Sequence, residues 1–183
     1  MLWNWYYRFL DWIENEPEGK SYFGWIGACV GIMLLYIVVF SFCFLEDTAE
    51  PDIRTVVNSI YDLFVRYGIT IPRTEFYKIL IGATLVTIVL EEVVFRLPLL
   101  WAVRRWDTSR PLFVTLVLIS ASFGFIHGGF FHILIQGVLG LFLGVLFLKA
   151  GGINRNRRKA FGASLAAHLC YDFLLISGAL LSS

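Results

Sequence analysis

Six charged or titratable residues interrupt three long apolar stretches, and their types are those that hydrolytic chemistry uses. They are Glu91, Glu92, Arg96, His127, His168 and Asp172. A single charge at bilayer depth costs about 2.5 to 3.5 kcal/mol on the insertion scale, so it is retained where it is paired or functional. These residues are therefore the first candidates for a catalytic site.

The spacing around Glu91 predicts different tasks for two neighbouring carboxylates. Glu92 and Arg96 are four residues apart with the acid first, which is the favourable order for an ion pair on a helix. Glu91 points about 100° away from Glu92 and can face another helix. We expect the ion pair to brace its helix and Glu91 to activate water as a general base, while His127 orients that water or shares its proton.

The third stretch contributes His168 and Asp172, which are four residues apart and share one helical face. We expect this pair, or the backbone beside it, to stabilise the oxyanion that forms when water attacks a peptide carbonyl. Counted from the basic end of each stretch at roughly 1.5 Å per residue, the polar groups of all three fall in the middle of a layer about 30 Å thick. They can therefore meet.

The composition places these groups in an integral membrane protein. The chain has 183 residues, of which 58% are hydrophobic and 16% are charged, far from the averages of soluble domains. A net charge of +1 argues against a nucleic-acid partner. The three cysteines lie in apolar stretches, where they act as small hydrophobic residues.

The pattern predicts an all-α, polytopic transmembrane bundle of about five spans within one domain, 1–183, whose core is 76–181. The predicted spans are 21–45, 76–103, 111–127, 130–148 and 160–181. Amphipathic interfacial helices are expected at 1–18 and 53–67, and Pro98 predicts a kink or an early stop. Gly137, Gly140 and Gly144 form a stripe that allows close helix packing. Lys and Arg concentrate on the N-terminal side, which predicts a cytoplasmic N-terminus in the cell membrane.

Three motifs carry a resemblance to a known family. Glu-Glu-x-x-x-Arg at 91–96, Phe-x-x-x-His at 123–127 and His-x-x-x-Asp at 168–172 occur in this order on separate predicted spans. This arrangement resembles the CPBP family of intramembrane glutamic endopeptidases, also called the CAAX prenyl protease Rce1-like or Abi family.

The resemblance implies an intramembrane peptidase that needs no cofactor. Glu91 would activate water, and His127, His168 and Asp172 would position it and stabilise the oxyanion. Many members of the family have Asn in the last position, and an ionised Asp172 is a worse oxyanion donor. The implied partners are the lipid bilayer and a membrane-anchored or membrane-inserted protein or peptide substrate, with self-association as a further expectation.

Other interpretations of the same residues stay open at this point. Glu91, His127, His168 and Asp172 would also make a two-histidine, two-carboxylate zinc set, which predicts a zinc-dependent variant of the peptidase. Glu91, Glu92 and Arg96 could also form a purely structural ion-pair network within the membrane. The chain could also be a non-catalytic immunity or scaffold protein with the same fold, or the polar band could carry ions or protons.

Overall fold

The structure is a computed structural model that describes residues 8–9, 11–13, 15, 20–44, 53–105 and 109–181. The described residues form helices and turns with no strand among them, so the predicted all-α class is confirmed. The helices are α1 (Lys20–Phe44), α2 (Ile53–Arg66), α3 (Arg73–Arg105), α4 (Ser109–Ile126), α5 (Phe130–Gly152) and α6 (Arg157–Leu181). Within α5, Ile133–Gly137 and Leu148–Gly152 are π-helical.

Three helical segments among the described residues are long and apolar enough to cross a membrane: Ser21–Val39, Phe130–Gly152 and Arg157–Ser177. The apolar part of α4, Pro111–Ile126, is shorter. Helix α3 has 33 residues but carries charges in its apolar stretch. The chain is therefore a helical membrane protein, while the number of about five spans stays a prediction.

Helices α3 to α6 enclose the site. Helix α3 packs on α4 and α6, α5 packs on the same two helices, and α1 covers α5 and α6 from outside. One buried cluster joins α1, α5 and α6 through residues such as Met33, Leu143 and Ala167. A second joins α3, α4 and α5 through residues such as Leu99 and Leu116. The polar residues lie where these helices meet.

Glycines set the close approach of α4 and α5. A Cβ atom on Gly124 would lie 2.6 Å from the backbone nitrogen of Gly137, and one on Gly144 would lie 2.5 Å from a methyl group of Leu116. The predicted stripe is thus confirmed: Gly137, Gly140 and Gly144 all face α4. Any larger residue at Gly124 would push the two backbones apart.

Of the predicted kink or early stop at Pro98, the early stop is wrong, because helix α3 continues through Pro98 to Arg105. Proline removes one backbone hydrogen bond from the helix, but Leu99, Leu100 and Ala102 immediately after it are buried in the bundle. Packing against neighbouring helices lets a membrane helix tolerate such an interruption. The motif at 91–96 therefore lies well inside a continuous helix.

Smaller differences concern the other predicted boundaries. Helix α6 begins at Arg157 rather than at 160, and α5 runs past 148 until Gly151 takes a φ of 125°. Helix α2 ends before Gly68, as predicted. Much of the interfacial helix predicted at 1–18 lies outside the described residues, but Ile13 is buried in the second cluster. The described part of that segment therefore packs against the bundle.

Candidate active site

Glu92 lies at the centre of a buried hydrogen-bond network. Arg96 Nε and one terminal nitrogen of its guanidinium donate to the two Glu92 oxygens at 3.0 and 3.2 Å. Ser164 Oγ from α6 donates to Glu92 Oε2 at 2.5 Å. The side chains of Glu92 and Arg96 are only 3% and 2% exposed. This charge pair is tolerated inside the bundle because the carboxylate has several donors.

His168 connects this network to the cavity. Its Nδ1 lies 3.0 Å from Glu92 Oε1. Because Glu92 is held as a carboxylate by a two-point contact with Arg96, Nδ1 carries the hydrogen and donates it. Nε2 of the same ring faces Glu91 Oε2 at 3.8 Å and Asp172 Oδ2 at 3.6 Å. Glu92 therefore fixes the direction of the ring and leaves Nε2 for the cavity.

His127 lies in the turn directly after α4, and a hydrogen bond fixes its orientation as well. Its Nδ1 lies 2.6 Å from the backbone oxygen of Phe123. A carbonyl oxygen can only accept, so Nδ1 carries the hydrogen. Nε2 then faces Glu91 Oε1 at 3.4 Å. The Phe123 ring packs against His127, with 4.4 Å between the ring centroids, and holds it in place.

Glu91 lies between the two imidazoles and is the less buried of the two adjacent carboxylates. Its side chain is 20% exposed, against 3% for Glu92. Neither imidazole nitrogen is within ordinary hydrogen-bond distance of it, since the gaps are 3.4 and 3.8 Å. A water molecule in the cavity beside these groups can contact Glu91 and an imidazole nitrogen at the same time.

These side chains open onto a cavity of about 340 Å³. It is lined by Ala83, Thr84, Thr87, Ile88, Glu91, Phe123, His127, Gln136, His168 and Asp172. Helices α3, α4, α5 and α6 all contribute. The wall combines a few convergent polar groups with apolar surface, which is typical of a ligand or substrate site.

All six residues predicted from the sequence come together in or behind this cavity. Glu91, His127, His168 and Asp172 line it, while Glu92 and Arg96 lie behind it. The predicted division between two adjacent carboxylates matches the geometry: Glu92 pairs with Arg96, and Glu91 faces His127. His132 is not part of the lining.

Sequence reasoning missed one residue of the network. Ser164 is fully buried and contacts Glu92, Arg96 and the backbone oxygen of Leu143. It precedes His168 by four residues and so shares its helical face. The four-residue spacing between Ser164 and His168 is the sequence feature that could have identified Ser164 as part of the site.

A metal-ligand arrangement was also predicted as an alternative. Within the part of the chain that the structure describes, no group of three or more His, Cys, Asp or Glu residues is arranged to hold a metal ion. Chelation experiments test the zinc-dependent interpretation.

Comparison with known protein families identifies the family of this chain. A sequence profile of the family described as type II CAAX prenyl endopeptidase Rce1-like matches residues 73–174. This range spans α3 to α5, most of α6 and all six predicted site residues. The family predicted from the three motifs is thus confirmed. No curated protein and no solved structure matches the chain significantly.

Proposed function

Because this chain belongs to the type II CAAX prenyl endopeptidase Rce1-like family, we propose that it is an intramembrane peptidase of the glutamic type. It hydrolyses a peptide bond of a membrane-associated protein or peptide. The observation that carries this proposal is the position of Glu91, whose oxygens face the Nε2 atoms of His127 and His168 across 3.4 and 3.8 Å at the edge of a cavity.

In the proposed reaction Glu91 acts first as a base and then as an acid. Its carboxylate takes one proton from a water molecule, and the water oxygen bonds to the scissile carbonyl carbon. The carbonyl electron pair moves to the oxygen, which becomes an oxyanion. When this intermediate collapses, the carbon–nitrogen bond breaks and Glu91 returns the proton to the leaving nitrogen. General acid–base catalysis of this kind contributes about 10² to 10⁴ in rate.

The two histidines have separate tasks in this scheme. His127 holds its hydrogen on Nδ1 against Phe123, so Nε2 of the neutral ring can accept a hydrogen bond from the water and orient it towards Glu91. His168 lies between Glu92 and Asp172. With a hydrogen on Nε2 as well as on Nδ1, its ring donates to the oxyanion and stabilises it electrostatically.

Glu92, Arg96 and Ser164 act as positioning residues. They are buried, and of the three only Glu92 contacts a histidine of the cavity. Their network fixes the ring of His168, so its Nε2 keeps one direction while the substrate binds. Asp172 is the fourth polar group of the cavity, and its Oδ2 lies 3.6 Å from His168 Nε2.

The substrate proposed here enters from the lipid. The family description points to proteins with prenylated CAAX-type ends, and the site accepts a chain that the membrane already holds. The N-terminus is proposed to lie in the cytoplasm and the protein in the cell membrane, because Lys and Arg concentrate on that side of the predicted spans.

The test compares membrane proteins from cells that carry the wild type or Glu91→Gln. Glutamine keeps the size of Glu91 and cannot accept the proton. We expect mass spectrometry to find shortened products only with the wild type. Glu75→Gln is the matched control, because Glu75 lies in the first turn of the same helix and its side chain is 52% exposed. Identical products from the wild type and Glu91→Gln would refute the peptidase.

A further inference from the structure

Gln136 is a polar residue of the cavity to which the reaction proposed above gives no task. It lies in the π turn Ile133–Gly137 of α5. Its half-buried side chain lines the cavity together with Glu91 and both histidines. π turns inside α-helices are frequent at functional sites. The position of Gln136 thus suggests a contact with the substrate.

Close backbone packing fixes this part of α5. A Cβ atom on Gly124 would lie 2.5 Å from the backbone oxygen of His132, and one on Gly137 would lie 3.0 Å from that of Ser120. The π turn is therefore pressed against α4, with no room for a side chain between the backbones. Gln136 therefore has a fixed place on the wall of the cavity that Phe123 also lines.

The carboxamide of Gln136 makes no hydrogen bond with any residue that the structure describes. Two other polar side chains of α4 and α6 have partners: Ser120 donates to the backbone oxygen of Leu116 at 2.7 Å, and Ser164 donates to Glu92. An unsatisfied polar group inside a membrane costs several kcal/mol. A carboxamide is therefore favourable here only where water or a ligand meets it.

The chemistry of a carboxamide matches that of a peptide group. Gln offers N–H donors and a carbonyl acceptor, and a peptide group offers one of each. A substrate segment that crosses the membrane as a helix satisfies its own backbone, but the peptide bond must leave the helix before water can attack it. The freed N–H and C=O groups then need new partners within the lipid layer.

We propose that Gln136 binds a main-chain peptide group of the substrate beside the scissile bond and holds the unwound segment extended across Glu91 and His168. Such main-chain recognition gives affinity without requiring a particular side chain. This proposal rests on the peptidase function proposed above. Gln136 is thus a substrate-binding residue that contributes to KM.

The probe is a synthetic peptide that spans the Glu91-dependent cleavage site found in membranes, reconstituted with the full chain in phosphatidylcholine liposomes. For Gln136→Leu we expect KM to rise about tenfold with kcat changed less than about twofold, because binding of the ground state and of the transition state is weakened equally. Gln136→Glu keeps the acceptor and should give a smaller rise. Leu134→Ala is the control, because Leu134 lies in the same turn with 55% exposure.

A second set of peptides replaces one peptide group at a time with an ester, which removes the N–H. One ester position should lower kcat/KM of the wild type by about tenfold and have no further effect on Gln136→Leu, since both changes remove the same contact. A purely structural role of Gln136 would give equal, additive losses in both enzymes and would overturn the proposal. Thermal unfolding in detergent shows whether each variant is folded. If Gln136→Leu is misfolded, the KM of Gln136→Glu tests the proposal instead.

The two proposals fail in different ways. If the wild type and Glu91→Gln give the same products, the proposed peptidase function is wrong, and the proposed binding role of Gln136 is wrong as well. If cleavage depends on Glu91 but Gln136→Leu and Gln136→Glu keep the KM of the wild type, only the binding role is wrong.

Discussion

His168 Nδ1 lies 3.0 Å from Glu92 Oε1, so one imidazole joins a buried ion pair to an open cavity. On the buried side the ring donates to a carboxylate that Arg96 holds at two points. On the other side its Nε2 faces Glu91 and Asp172. Mutations in the buried network should therefore change activity through the orientation of this ring.

Ser164→Ala tests that relationship. The substitution removes the hydroxyl that donates to Glu92 at 2.5 Å, and a lost hydrogen bond to a charged group costs about 1.5 to 3 kcal/mol of stability. Because Glu92 can then shift and turn His168, we expect kcat to fall about 10- to 100-fold. Proteoliposome kinetics and thermal unfolding in detergent measure the two effects.

The control for this prediction is Ser122→Ala. Ser122 is exposed on α4, and its hydroxyl bonds to the backbone oxygen of Leu118 in its own helix. It should leave kcat and the unfolding temperature close to those of the wild type. Equal kinetics for Ser164→Ala and Ser122→Ala would contradict the positioning role.

Arg96→Met tests the ion pair itself. Arg96 is 1% exposed, and its removal leaves Glu92 as an uncompensated buried charge, which costs about 3 to 5 kcal/mol. We expect little folded protein in the membrane fraction, measured by size-exclusion chromatography after mild solubilisation. The double variant Glu92→Gln with Arg96→Met removes both charges and should recover part of the yield.

Lys78→Met provides the matched control for Arg96→Met. Lys78 pairs with Glu75 at 2.7 Å, but both side chains are more than half exposed. Exposed pairs contribute about 0 to 1 kcal/mol, so the yield should not change. A yield of Arg96→Met equal to that of Lys78→Met would show that the buried pair is not needed for folding.

The sequence was sufficient to predict the six converging residues but not Ser164. Charges and histidines inside apolar stretches stand out because their burial is costly. A serine does not, because its hydroxyl can bond to the preceding turn of its own helix, as Ser120 and Ser122 do. Only the packing of α6 against α3 turns Ser164 towards Glu92.

Local backbone geometry was the other feature that the sequence could not supply. Pro98 predicted a kink or an early stop, and the stop is wrong because buried contacts after Pro98 allow α3 to continue to Arg105. The apolar stretch of α5 predicted a regular helix, whereas Ile133–Gly137 is a π turn at the place where α4 approaches most closely. Both features depend on tertiary packing, which periodicity in a single sequence does not contain.

Asp172→Asn tests the residue that departs from the pattern of the family. Asp172 lies 3.6 Å from His168 and lines the cavity. An amide can donate N–H to the oxyanion, which an ionised carboxylate cannot do. We expect kcat of Asp172→Asn to equal or exceed that of the wild type, and kcat of Asp172→Leu to fall about 100-fold. A similar large loss in both variants would show that the negative charge of Asp172 is required.

Chelation separates the water-activating glutamate from a zinc site. In the proposed reaction Glu91 takes the proton from water directly, so EDTA and 1,10-phenanthroline should leave the rate of peptide cleavage in proteoliposomes unchanged. Metal analysis of the same purified protein should give less than about 0.1 zinc per chain if no structural or catalytic site is filled. Glu91→Gln supplies the baseline of an inactive enzyme. Loss of activity with phenanthroline that returns on addition of Zn²⁺, together with one zinc per chain, would instead assign His127, His168 and the carboxylates to a metal.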